Sequence, residues 1–378
     1  MIVFNIIVAL IVIEILFRIC YRVICGYWYV VGKRERWKDN YVVAHPFLSL
    51  SYKKNSVIKT NKKLNYILSR GKYSSFVNPL RINNFGHFGN DFEERKDSDT
   101  LRIACLGNST TANNIAFENK DYCYPDMLQK ELQSKVSLLK KYDKVEVYNF
   151  GIGGWDCQDI LIDFVLNVLR TNPDYVIFCH GYVDLPFHLM DSFSCDYFHG
   201  RRNLGEVIRD IQLTSYLPSV SFWKLYEFLK TKLVGSGNVR KDVVEKIRKQ
   251  KINYNNNFDT LKYEADILKN IFIICKYFGI RMIVSTYSFY NFGNISAFNK
   301  IEQGVEIENE NIKKLSEEFD TIFVDHAKII PKNDNYFLDW VHFTPKGMQF
   351  LAKNYSKLIV EDINKMEQKY ENSTSGIR

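Results

Sequence analysis

The chain has 378 residues, 46% hydrophobic and 25% charged, a balance that excludes a disordered, collagenous or fibrous protein and allows one large or two small domains. Part of its net charge of +8 gathers on Lys232, Arg240, Lys241, Lys246, Arg248, Lys249 and Lys251 against only Asp242 and Glu245, a run that reads as a solvated helix face or as a site for phospholipid headgroups or acidic glycan. Eight cysteines without a CxxC pair are too sparse for a disulfide scaffold, and Cys179, His188, Cys195 and His199 match the spacing of no standard zinc module, so no metal, other cofactor or nucleic-acid partner is expected.

The first element is expected to be a membrane anchor. From Ile2 to Phe17 the only charged side chain is Glu14, and apolar character resumes after Arg18 and Arg22 through Tyr27, Trp28, Tyr29, Val30 and Val31. The run is short for a span, but the two arginines can extend their ends to headgroups while the aromatic cluster settles at the interface. Residues 1–31 therefore read as one transmembrane helix; no basic n-region or small-x-small cleavage site marks a cleaved signal peptide. Arg18, Arg22, Lys33, Arg34, Arg36 and Lys38 all follow the apolar run, which by the positive-inside rule puts the large domain on the cytoplasmic side. Residues 32–98 form a juxtamembrane and lead-in segment.

Beyond residue 98, apolar runs alternate with helical periodicities. Residues 101–106 read as a strand, and Tyr124-Pro125 opens a helix with apolar residues at helical spacing. A strand over 145–150, a helix over 156–169 and a strand over 174–179 follow. Leu261, Ala265, Leu268, Phe272 and Cys275 make one face of a helix that Gly279 would stop. A strand over 280–286, a helix over 305–319, a strand over 321–324 and a last helix opened by Thr344-Pro345 complete the pattern. Such alternation predicts an α/β domain over 99–368 with a parallel sheet covered on both faces, whose ligands bind outside the carboxyl ends of the strands where strand order reverses. The stretch 185–257 breaks the rhythm and reads as an inserted, partly helical lid or subdomain, while residues 369–378 are expected to fray.

Gly107-Asn108-Ser109-Thr110 follows the first strand of this pattern directly, so Ser109 stands at a strand-to-helix turn, as a helix cap or as a nucleophile. Asp339-Trp340-Val341-His342 precedes the last helix, and its spacing lets the carboxylate turn back onto the imidazole within one loop. Each group alone reads as ordinary polarity. Together they supply a nucleophile, a base and an orienting acid at carboxyl-side loops of one sheet, as acyl transfer requires.

On these residues the chain resembles the SGNH, or GDSL-type, hydrolases over about residues 80–360. The lead-in Asn83-Asn84-Phe85-Gly86-His87-Phe88-Gly89-Asn90 is similar to the segment ahead of the catalytic domain in many membrane-anchored members. The family's Gly-Asp-Ser block appears as Gly107-Asn108-Ser109, its second block as Asn149-Phe150-Gly151-Ile152-Gly153-Gly154, its Gly-x-Asn-Asp block as Gly181-Tyr182-Val183-Asp184 and its Asp-x-x-His block as Asp339 to His342. The resemblance implies a flavodoxin-like three-layer α/β/α fold in which Ser109 is the nucleophile, His342 the base and Asp339 the acid. It also implies an oxyanion hole built from the backbone N–H groups of Ser109 and Gly154. Val183 replaces the family's asparagine, a side-chain oxyanion donor whose loss typically costs about 10²–10³-fold in rate, and Asn108 is a candidate substitute.

Trp155, His180, Tyr182, Val183 and Trp340 adjoin these blocks as candidate substrate-binding residues. Buried packing is the other reading for the two tryptophans, and a hydrogen-bonded place at the core edge is the other reading for His180; Asp184 reads as a brace for its loop. The implied activity is that of a serine esterase or deacylase acting on an acylated glycan or lipid. An O-acyltransferase using the same serine and a catalytically reduced binding protein are the alternatives.

Overall fold

The computed structural model describes residues 51–58, 80–112, 123–189, 258–291 and 296–375, with scattered positions before residue 50 and at 193, 195 and 197. The expected anchor over 1–31 lies outside the described residues apart from four positions, as do residues 198–257 of the insertion with their basic run. No helix among the described residues is long and apolar enough to cross a membrane.

In chain order the strands are β1 (Val42–Val43), β2 (Ser51–Tyr52), β3 (Ser56–Ile58), β4 (Leu80–Ile82), β5 (Thr100–Gly107), β6 (Lys144–Asn149), β7 (Tyr175–Cys179), β8 (Arg281–Ser285) and β9 (Ile322–Val324). The helices are α1 (Ser109–Ala112), α2 (Tyr124–Gln133), α3 (Cys157–Asp163), α4 (Leu185–His188), α5 (Leu261–Tyr277), α6 (Ser296–Phe319), α7 (His326–Ile329) and α8 (Pro345–Ser375). Strands β5 to β9 form one sheet in the order β6-β5-β7-β8-β9, parallel throughout, while β1–β2 and β3–β4 are antiparallel pairs. This is the doubly wound order of a flavodoxin-like sheet. The chain leaves β5 for one neighbour and returns to the other, so strand order reverses between β5 and β7.

The sheet strands are mostly apolar because both of their faces are covered, with the paired Arg102 of β5 and Glu146 of β6 as charged exceptions within them. In β5, Leu101, Ile103 and Cys105 face a layer with Tyr124, Leu128 and Leu132 of α2 and Leu351, Tyr355 and Ile359 of α8. Ala104 and Leu106 point the other way, into a layer with Ile160 of α3, Leu268 and Phe272 of α5 and Ile312 of α6. A third apolar group, with Leu185, Tyr287, Phe289, Phe298 and Val341, belongs to the segments beyond the strand ends. The result is the three-layer α/β/α arrangement that the block pattern implies.

Local differences from the sequence reading have physical causes. Asp156 caps α3 by accepting the Asp159 N–H at 2.9 Å, but the helix expected to run to residue 169 widens after Asp163 into a π turn (Phe164–Val168) and a 3₁₀ turn (Leu169–Thr171). Helix α6 starts at Ser296, well before residue 305, and α8 continues through part of the tail expected to fray. Gly279, at φ +68°, follows the end of α5 as expected.

Residues 80–98 are built into the domain. Asn83 accepts the N–H groups of Phe85 and His87 at 2.9 Å each and donates to the Asn90 carbonyl at 3.0 Å, while Asn84 exchanges hydrogen bonds with the backbone of Phe92. The knot so formed drives Ile82, Phe85 and Phe92 into the core against Phe150, and His87 reaches Asp163 of α3 at 3.2 Å. Arg102 of β5, 1% exposed, ties the same segment to the sheet. It donates to Glu146 of β6 at 2.8 Å and to the carbonyls of Glu94, Arg95 and Thr171, and its guanidinium lies over the Tyr148 ring.

Candidate active site

Ser109 is the first residue of α1, immediately beyond the carboxyl end of β5 and beside the point where strand order reverses. Gly107 makes that turn possible by close approach: a Cβ there would meet the Cys179 carbonyl oxygen at 2.4 Å and Thr111 Oγ1 at 2.2 Å. The opposite side of the site is a short loop closed by the Phe337–Phe343 bridge and by the Leu338 N–H donating to the His342 carbonyl at 2.7 Å. Within it, Asp339 Oδ1 accepts the backbone N–H groups of Val341 (2.9 Å) and His342 (2.8 Å), which frees Oδ2 to meet His342 Nδ1 at 2.7 Å. His342 Nε2 lies 2.9 Å from Ser109 Oγ.

The charge state of Asp339 follows from these partners. Burial alone would push its carboxyl up, but the His342 ring and the two backbone N–H groups outweigh that and hold it below the ordinary carboxylate range. An ionised Asp339 draws the ring proton to Nδ1, leaving the Nε2 lone pair to accept the serine hydroxyl proton.

Gly154 adopts φ +85°, the left-handed region, with nothing within 4 Å of the place a Cβ would take, so this glycine serves the turn rather than a tight fit. Neither its N–H nor that of Ser109 is drawn into a turn or cap hydrogen bond among the described residues. Asn149 of the same block holds the loop by donating to the Thr111 carbonyl at 3.1 Å and accepting the Gly151 N–H at 2.9 Å.

The remaining sequence candidates divide. Tyr182 and Trp340 are half-buried, with rings 6.0 Å from Phe289 and 5.4 Å from Phe298. Val183 is half-buried, its N–H turned back to the Gly181 carbonyl at 2.8 Å. Asn108 is fully buried: its amide donates to that same carbonyl at 3.1 Å, and its Oδ1 takes the N–H and hydroxyl of Thr110. It ties the first block to the third, which uses one of the two N–H donors of the amide suggested as a substitute, and its complete burial turns the other away from solvent. Trp155 is 1% exposed and packs edge-on to His87, so its ring belongs to the core beside the lead-in segment. His180 is fully buried against Asp184, which also accepts the Cys157 N–H at 3.1 Å. The unmatched zinc spacing is not brought together: Cys179 is buried beside Ser285 and Tyr355, His188 bonds the Tyr197 hydroxyl at 2.6 Å, Cys195 is exposed, and His199 lies outside the described residues.

Two acids of this region escaped the sequence reading. Glu308 of α6 accepts the Tyr182 N–H at 3.1 Å and so holds the third block from behind, and Glu264 of α5 lies with His180 and Asp184. Both sit on helices whose glutamates read as solvated, and periodicity carries no signal for a buried carboxylate.

A doubly wound sheet that brings serine hydroxyl, imidazole and carboxylate into one hydrogen-bonded line at its switch point defines a protein suited to acyl-group chemistry. Residues 105–350, from β5 into α8, match the GDSL-like Lipase/Acylhydrolase family, and the chain belongs to that family. No curated relative matches the sequence. Similar solved structures include a lipase/acylhydrolase from Enterococcus faecalis (15% identity, covering 70% of this chain and 96% of that one, TM-score 0.42). They also include an acetylxylan esterase from Geobacillus stearothermophilus (14%, 70% and 96%, TM-score 0.40) and a GDSL-like lipase from Bacteroides thetaiotaomicron (13%, 73% and 93%, TM-score 0.37).

Proposed function

We propose that the protein is a serine ester hydrolase that removes an acyl group from an acylated glycan or lipid, with Ser109, His342 and Asp339 as its triad. The observation that carries this reading is the line Ser109 Oγ to His342 Nε2 at 2.9 Å and His342 Nδ1 to Asp339 Oδ2 at 2.7 Å. Ser109 attacks the ester carbonyl as His342 takes its proton, and Asp339 stabilises the imidazolium. The tetrahedral oxyanion is held by the N–H groups of Ser109 and Gly154. Collapse expels the alcohol with the proton from His342, and water, activated by the same imidazole, then releases the acid and restores the serine. The half-buried rings of Tyr182 and Trp340 support a substrate that offers a sugar face or an apolar chain beside the ester. The apolar run at 2–17 supports a membrane-anchored placement of the domain, with the basic residues after it favouring the cytoplasmic side.

A fluorophosphonate probe tests the chemistry, because it reacts with an activated serine. Labelling of the wild type and none of Ser109→Ala or His342→Ala is expected; a folded wild type that takes no label overturns the proposal. A second reading, a binding protein with little turnover, draws support from Val183 in place of an amide donor while the Asn108 amide is already bound to Gly181. It is favoured if the folded protein binds acylated glycan without labelling.

A further inference from the structure

Behind the third block, four ionisable side chains from four segments meet out of contact with solvent. His180 ends the run from β7, Asp184 precedes α4, Glu264 comes from α5 and Glu308 from α6. Their residues are 0%, 0%, 2% and 2% exposed. One donor atom each from His180, Asp184 and Glu264 lies within 4.8 Å of the others. Three carboxylates thus stand against one imidazole, and no lysine or arginine among the described residues pairs with any of them. Asp184 is satisfied by His180 and the Cys157 N–H, and Glu308 Oε2 by the Tyr182 N–H. Glu264 is different: no protein donor reaches either of its buried carboxylate oxygens or Glu308 Oε1, and the group within hydrogen-bonding reach of Glu264 is the Glu308 carboxyl itself, which needs a shared proton to bond it. A buried carboxylate pair of atoms left bare is costly enough that something must complete it.

We infer that His180, Asp184 and Glu264, with Glu308 beside them, form a binding site for a divalent transition-metal ion of the Zn²⁺ or Mn²⁺ kind. One imidazole with carboxylate oxygens and no thiolate is the donor set such ions take. Metal bonds of about 2.0–2.2 Å in a tetrahedral site place donors roughly 3.3–3.6 Å apart, so the cluster, spread over up to 4.8 Å, closes on an ion with a contraction of about an ångström and with His180 exchanging its hydrogen bond to Asp184 for the metal. The ion supplies the positive charge the cluster lacks and joins α5 to the loop Gly181–Asp184. Through Asp184 and the Cys157 N–H it also braces the start of α3, just beyond Gly154, so the site steadies both loops that flank Ser109 without touching the ester. The rival account is a proton shared between Glu264 and Glu308, whose carboxyls burial pushes up, that of Glu308 to about 7.

Metal content separates the two, and it does not depend on the esterase reading. The full-length protein is incubated separately with Zn²⁺ and with Mn²⁺, desalted, and its bound metal measured by mass spectrometry beside a melting curve with and without chelator. Stoichiometric retention of one of these ions by wild type and by His342→Ala is expected, with at least a tenfold loss in Glu264→Gln. Chelation should lower the melting temperature of wild type and leave that of Glu264→Gln unmoved. His180→Asn replaces Glu264→Gln if the latter does not fold. A wild type that retains neither ion overturns the inference in favour of the shared proton, as does equal retention by wild type and the cluster variant.

Discussion

Replacing Asp339 with asparagine isolates a single hydrogen bond of the proposed triad. Asp339 Oδ1 accepts two backbone N–H groups at 2.9 and 2.8 Å, and an asparagine carbonyl in the same place keeps both. Turning the amide the other way would sacrifice both bonds, so its NH₂ must fall where Oδ2 now meets Nδ1 at 2.7 Å. An NH₂ cannot accept the ring proton. The imidazole therefore takes the opposite tautomer, with Nδ1 accepting from the amide and Nε2 presenting a proton to Ser109 Oγ at 2.9 Å. A base that starts protonated cannot take the serine's proton, and fixing the wrong tautomer costs about 10⁴-fold, or about 5.5 kcal/mol of transition-state stabilisation. The fold loses at most one charge-assisted hydrogen bond, about 1.5–3 kcal/mol. The assay is kcat/KM on 4-nitrophenyl acetate for wild type, Asp339→Asn and Ser109→Ala, beside melting curves. A fall of about 10³–10⁴-fold toward the level of Ser109→Ala, with a modest drop in melting temperature, is expected. Activity of Asp339→Asn within about tenfold of wild type would refute the role given to this carboxylate.

The departure at position 183 gives a gain-of-function test. Because the Asn108 amide is bound to the Gly181 carbonyl, Val183→Asn should raise kcat about tenfold or more with little change in KM, and level or lower steady-state kcat counts against an incomplete oxyanion hole. Arg102→Ala leaves three carbonyls without their donor, while Glu146 keeps Lys144 at 2.6 Å and the Tyr148 hydroxyl at 3.0 Å, so urea unfolding should register a loss of about 2–4 kcal/mol; a loss under about 1 kcal/mol contradicts the staple. His326, buried edge-on to Tyr355 with both ring nitrogens unpartnered, has its pKa lowered by burial to about 3. Between that value and the unfolded value of about 6.5 only the unfolded chain binds the proton, so stability is full above this window and is lost as pH falls through it, by about 1.4 kcal/mol per pH unit at most. His326→Phe should flatten the acid limb of a melting temperature–pH curve; an unchanged limb places the acid sensitivity elsewhere.

What the sequence reveals and what it hides divides along physical lines. The strand at 101–106 was legible because a core strand covered on both faces must be apolar at nearly every position, Arg102 being the exception that its pairing with Glu146 permits, and the Gly107–Ser109 turn because a strand end this crowded admits no side chain at 107. Asp339 and His342 were legible because their contact is local, made within one loop. The meeting of Ser109 with His342 rests on sheet topology, which strand and helix alternation implies but no single residue encodes. For Trp155 the sequence left a substrate contact and buried packing both open, because adjacency to a loop glycine says nothing of the direction its ring takes; here it is buried, and His87, far back in the chain, receives it. The lead-in around 83–90 was legible only through its resemblance to the segment ahead of related domains, because its short, asparagine-rich run has no periodicity; side-chain hydrogen bonds to its own backbone replace secondary structure there. Glu264 and Glu308 stayed hidden because helical glutamates are solvated far more often than they are buried.

The hydrogen bond between Ser109 and His342 spans 233 positions of the chain, and this separation bears on how the protein is made. At about 5–20 residues per second, a ribosome delivers the serine roughly 12–47 s before the histidine. Throughout that interval Ser109 has no imidazole partner. The apolar stripe of α2, with Tyr124, Leu128 and Leu132, meanwhile waits for the cover that α8 provides. A nascent chain thus holds Ser109 without its imidazole partner while the apolar face of α2 lies uncovered, and one that stops short of residue 342 never gains that partner. The imidazole partner of Ser109 and the cover of α2 are delivered within a few residues of each other, His342 just ahead of α8, so the polar line and the apolar layer beneath it close at nearly the same moment.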